Sequence, residues 1–100
     1  MRVHEMRFSQ HDYRRDQWEL RLAVFAAYDS LLRMCKEESI KAAAGHLSDA
    51  AMKLSNSFDG DQMEMEIHAF RIARRARKVQ QEGSAAMPAL REFIDKECGL

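Results

Sequence analysis

Arg71, Arg74, Arg75, Arg77 and Lys78 crowd five cations into one short stretch of the chain. At this density such residues can contact phosphate or dock an acidic protein surface. An ordinary solvated helix shows the same pattern, because cations at its C-terminal end and acids at its start (Asp59, Asp61, Glu64, Glu66) complement the macrodipole. No aromatic residue interleaves with the arginines and no helix-turn-helix signature accompanies them. Nucleic-acid binding therefore stands behind a solvated helix end or a protein partner.

His46 with Asp49 and Glu64 with His68 have the helical spacings that metal ligands sometimes use. A metal site needs several ligands converging on a bundle interior. His46 and Glu64 point away from the apolar stripes of their helices and no Glu-x-x-His pair exists, so exposed polar pairs are expected, with no metal or other cofactor. Histidine phosphotransfer domains follow their phosphorylated His with Leu, Lys and Gly at the second, third and fourth positions. Here His46 is followed by Leu47, Ser48, Asp49 and Ala50, and no phosphorelay role is assigned. Cys35 and Cys98 have no metal spacing and make no disulfide framework; reduced thiols are expected, with a single bridge left open. Serines fall at helix caps or in Ser55-Asn56-Ser57, and the chain has neither a nucleophile elbow nor a glycine-rich phosphate loop. No catalytic residue is assigned, and an enzyme is not expected.

The elements that position these groups are all helical. Ser9 reads as an N-cap, with Asp12 at the capping-box position and Phe8 packing on Tyr13, after an irregular arm over residues 1–8. A first helix follows over about 10–36. Ser39 reads as the cap of a second, over about 39–57, where Ile40, Ala44, Leu47, Ala51, Leu54 and Phe58 step by four and three without a break. Asp59-Gly60-Asp61 reads as a turn, with Asp61 and Glu64 as a capping box. A third helix over about 61–82 stops at Gly83, and a short fourth over about 88–98 starts at Pro88. Tight turns between them predict an all-α antiparallel bundle, a single domain over residues 9–100.

Two of these helices carry more apolar surface than one protomer needs. Tyr13, Leu20, Val24, Ala27, Leu31 and Met34 form the core stripe of helix 1, while Trp18, Leu22, Phe25 and Leu32 fall nearly opposite. Helix 3 repeats the pattern, with Met65, Ala69, Ile72, Ala76 and Val79 toward the core and Met63, Ile67 and Phe70 on the far side. Burying one such side chain stabilises by about 1.5–3 kcal/mol, so either stripe matters on the scale of a small domain's stability. The fourth helix spans about three turns and cannot cover two long helices. The surplus stripes predict a partner or dimer interface, most simply a two-fold contact of helix 1 anchored by Trp18, with Asp29 at its rim near Arg21 or Arg33.

Composition narrows the function classes. Lys plus Arg and Asp plus Glu are 16 each, a balance that argues against a dedicated nucleic-acid binder and removes the electrostatic brake on self-association. The longest apolar run, Leu22–Tyr28, is far too short to span a membrane, and no apolar signal region follows the N-terminus, so a cytoplasmic protein is expected. Expected, then, is a small non-enzymatic protein that binds other proteins as a regulator, inhibitor, adaptor or chaperone-like subunit. The alternative is a nucleic-acid-binding regulator using the basic end of helix 3.

Overall fold

No glycine or proline interrupts the first 44 residues, and the backbone is helical through most of them. The computed structural model describes the backbone of residues 2–58 and 63–97, and side chains from Gln17 onward within those ranges. Helix α1 covers Arg2–Leu32, α2 Glu37–Asn56, α3 Met63–Glu82 and α4 Met87–Glu97, with a 3-10 turn at Gly83–Ala86 between α3 and α4. The architecture is an all-α helical bundle.

Helix α1 begins at Arg2, so the expected irregular arm over residues 1–8 is helical from its second residue. Local capping preference at Ser9 does not stop a helix whose flanking residues all tolerate helical backbone. The side chains of Phe8, Ser9, Asp12 and Tyr13 lie outside the described residues, as do the Asp59-Gly60-Asp61 turn, the Asp61–Glu64 capping box and Cys98. Helix α1 ends earlier than expected, at Leu32 instead of Lys36. Its last turn tightens, Arg33 N–H donating to the Ser30 carbonyl and Met34 N–H to that of Leu31, each at 3.1 Å.

Helix α2 starts at Glu37, two residues before the expected cap Ser39. Lys36 is the N-cap, extended at φ −90°, ψ 140° and without a side-chain capping bond. Its carbonyl accepts from Ile40 N–H at 2.8 Å, and Glu37 and Glu38 place negative charge on the first turn. Ser39 thus falls inside the helix. All six residues of the predicted α2 stripe are buried, joined by Ala43 and Ser55.

Helices α1 and α3 both pack on α2, and their backbones do not approach one another. Ala43, Ala44 and Ala51 meet Ala69, Ala73 and Ala76 in one core, where short side chains permit close helix approach. Two serines join the pair: half-buried Ser48 Oγ donates to the Ala73 carbonyl at 3.0 Å and buried Ser55 Oγ to that of Glu66 at 3.3 Å. Helix α4 folds back on α3 and buries Leu90, Phe93 and Ile94. Pro88 sits in its first turn, where a missing N–H costs nothing.

The α1 core face is turned from the expected one. Gln17, Val24, Tyr28 and Leu31 are buried, Leu20 and Ala27 only partly, and Met34 lies beyond the helix and is exposed. Tyr28 is drawn in by α4, where its phenol lies beside Arg91 and Asp95. Gln17 Nε2 donates to the Ser57 carbonyl at 3.4 Å, level with the end of α2. The first half of α1, about 46 Å long in all, therefore runs past α2, within a molecule of 55 × 21 × 20 Å. On α3, Ala73 takes the place expected of Met65, which is exposed.

Candidate functional site

Every residue of the two surplus stripes is exposed in the protomer. Trp18, Leu22, Phe25 and Leu32 on α1, and Met63, Ile67 and Phe70 on α3, range from 39% to 62%. Helix α4 covers neither set, because its large buried residues Leu90, Phe93 and Ile94 are spent in the core. The seven do not form one patch. Phe25 lines a cleft of about 310 Å³ between α1 and α3 with Val24, Leu54, Phe58, Met65 and Ile72. Ile67 and Phe70 together line two other grooves, one with Met52 of α2 and one with Ala89 of α4.

Charge frames both faces. On α1, Asp29 pairs with Arg33 at 2.9 Å on the exposed side of the helix, at the rim of the Leu22–Phe25–Leu32 stripe. Arg21, beside Phe25 in the cleft, donates from an Nη to the Met65 sulfur at 2.9 Å, and its Nε has no hydrogen-bond partner. On α3 the stripe Met63–Ile67–Phe70 continues into Arg74, whose guanidinium lies 6.0 Å from the Phe70 ring centroid. Arg75 lies 4.3 Å over the Phe93 ring and donates weakly to the Arg71 carbonyl at 3.5 Å. Among the described residues, none of Arg71, Arg74, Arg75, Arg77 and Lys78 has a carboxylate within 4.0 Å. The ion pairs there are Asp29–Arg33, Glu92–Lys96 and the longer His68–Glu97.

The basic cluster divides. Arg71, Arg74, Arg75 and Lys78 line a groove of about 750 Å³ between α3 and α4 with Ile67, Phe70 and Ala89, while Arg77 is absent from it. The histidines are arranged differently from their sequence spacing. His68 is half-buried, edge-on to Phe93 with ring centroids 6.2 Å apart, and its Nε2 lies 3.9 Å from Glu97 of α4, not beside Glu64. His46 is exposed and makes no ion pair with Asp49. Among the described residues, no three His, Cys, Asp or Glu side chains converge as a metal site. Cys35 is an exposed free thiol. No helix of the described residues is long and apolar enough to cross a membrane.

Met52 and Ala89 are surface participants that sequence reasoning missed, and Arg21, one of the two cations expected beside Asp29, donates instead to Met65 in the cleft. Met52 falls off the α2 heptad, and its nearness to Ile67 and Phe70 depends on how α2 and α3 are rotated about one another. No family model, curated protein or solved structure matches this chain.

Proposed function

We propose that this chain is a small non-enzymatic protein that works by binding other proteins, and that the α1 stripe joins two copies about a two-fold axis. The exposure of all seven surplus apolar residues in the folded protomer carries the reading. A chain of balanced charge that leaves Trp18, Leu22 and Phe25 in water invites association. Trp18 is the anchor of this contact, as tryptophan tends to be when an interface desolvates it. The Asp29–Arg33 pair supplies a neutralised polar rim. The role that fits is a cytoplasmic regulator, inhibitor, adaptor or chaperone-like subunit.

Sedimentation equilibrium on the wild type and on Leu22→Glu/Phe25→Glu tests the contact. The expected result is a dimer that becomes a folded monomer, with Trp18 emission shifting to the red as the interface opens. A monomeric wild type at all concentrations overturns the reading. Nucleic-acid binding by the basic cluster is the competing function, and salt separates the two. Phosphate contacts weaken linearly in log salt as counterions are released, whereas an apolar contact changes little.

A further inference from the structure

We propose that the groove between α3 and α4 is a second docking site, and that its occupant is an acidic amphipathic helix of another protein. The inference deepens the protein-binding reading by naming the chemistry of a partner, and it concerns a face separate from the α1 stripe. Three observations carry it. Arg71, Arg74 and Lys78 line the groove and have no carboxylate within 4.0 Å among the described residues. The whole chain has as many acids as bases, so this local excess arises from segregation and not from composition. Ile67 and Phe70 give the groove an apolar spine, which Met63, one turn earlier on α3 and outside the groove, extends at the helical spacing of four and three; all three are exposed. A spine of this spacing is what the apolar stripe of a second helix packs against.

Two of the guanidinium groups, those of Arg74 and Arg75, lie against aromatic rings before any partner arrives. Arg74 rests near Phe70 and Arg75 on Phe93, so less side-chain freedom is lost when a carboxylate binds them. A guanidinium donates two parallel hydrogen bonds to a carboxylate, a geometry that a point charge does not select. The complementary helix therefore presents an apolar stripe to Met63, Ile67 and Phe70, with Asp or Glu at the end that lies over Arg71, Arg74 and Lys78.

A polyphosphate backbone fits this surface less well. Glu66 borders the strip beside Ile67 and Phe70, and Glu97 shares with Arg75 the groove on its other flank, where Glu92 is paired with Lys96 at 2.9 Å. The cationic strip is thus narrow, with a carboxylate on each side of it, and gives a long polyanion no extended run of cations. Phe93 is buried and covered by Arg75, which leaves Phe70 as the single aromatic ring of the groove on which a base could stack.

Peptide display on the full chain tests the proposal, with a variant carrying Arg71→Glu, Arg74→Glu and Lys78→Glu used for counter-selection. The expected result is enrichment of helical sequences with apolar residues at spacings of three and four and with acids toward one end. Changing those acids to Gln should weaken a selected peptide by about tenfold or more, and Phe70→Ala should weaken it independently. Sedimentation of the triple-Glu variant should match that of the wild type, because the α1 contact is untouched. Failure to enrich any peptide, enrichment without acids, or tighter binding of a random duplex oligonucleotide than of the selected peptides overturns the proposal. So does a change of oligomeric state in the triple-Glu variant, which would mean that a second copy of this chain fills the groove. The Leu22→Glu/Phe25→Glu variant should keep full peptide affinity, so failure of the α1 dimer and failure of this site are read separately.

Discussion

The Glu37 carboxylate accepts a hydrogen bond from the Ser84 backbone N–H at 3.1 Å, tying the first turn of α2 to the turn that joins α3 to α4. Gly83 stands beside this bond at φ +78°, and a Cβ there would collide with Glu37 Oε2. Gly83→Ala should therefore lower the unfolding free energy by about 1–2 kcal/mol from the left-handed backbone alone, with further loss if Glu37 is displaced. Urea unfolding of Gly83→Ala, and of Gly83→Ala/Glu37→Ala measured against Glu37→Ala, checks this. In the double variant the collision can relax, and a cost that remains near 1 kcal/mol isolates the backbone term.

Tyr28 ties stability to alkaline pH. Burial raises its phenol above the ordinary value of 10.0, nearby Asp95 adds to the rise, and Arg91 opposes it. A raised folded value means that the stabilisation is fully present below the unfolded value and is lost as pH rises through the folded one. Stability should fall above pH 10, and Tyr28→Phe should flatten that limb, as followed by far-ultraviolet circular dichroism against pH. At the other end, the Ser84 hydrogen bonds lower Glu37 from its ordinary 4.5. Its contribution is present above that value and fades as pH falls through the lower folded one, so Glu37→Gln should weaken the acid-side pH dependence.

Leu47 is fully buried in the middle of the α2 stripe. Leu47→Ala should cost about 2–5 kcal/mol, the usual range for a large-to-small core change. A loss below about 0.5 kcal/mol in denaturant unfolding would place the core elsewhere.

The basic cluster should matter little to folding. With no carboxylate within reach among the described residues, replacing Arg71, Arg75 and Lys78 together by Gln removes no ion pair there. The unfolding midpoint should correspond to a change within about 0.5 kcal/mol. Any excess should reproduce in Arg75→Gln alone, since that side chain covers the Phe93 ring.

The α2 stripe was legible residue by residue because α2 is the helix both others pack on, and a central helix must bury one unbroken face. The stop at Gly83 was legible too, since glycine adopts positive φ without steric cost. The exposure of the surplus stripes followed from counting apolar residues against the elements present to cover them. Other features depend on residues far apart in the chain. Nothing local marks the break after Leu32, where there is neither glycine nor proline; packing Leu31 and Ile40 into one core sets the turn. The rotation of α1 toward Tyr28 needs Arg91 and Asp95, and the burial of Gln17 needs the Ser57 carbonyl. The pairing of His68 with Glu97 in preference to Glu64 depends on α4 folding back on α3. The same fold-back sets Ala89 beside Arg71 and Phe70 and makes a groove of what the sequence shows only as a row of cations. Helical periodicity sorts residues onto faces, but which faces meet is settled by long-range burial, and sequence spacing carries no record of it.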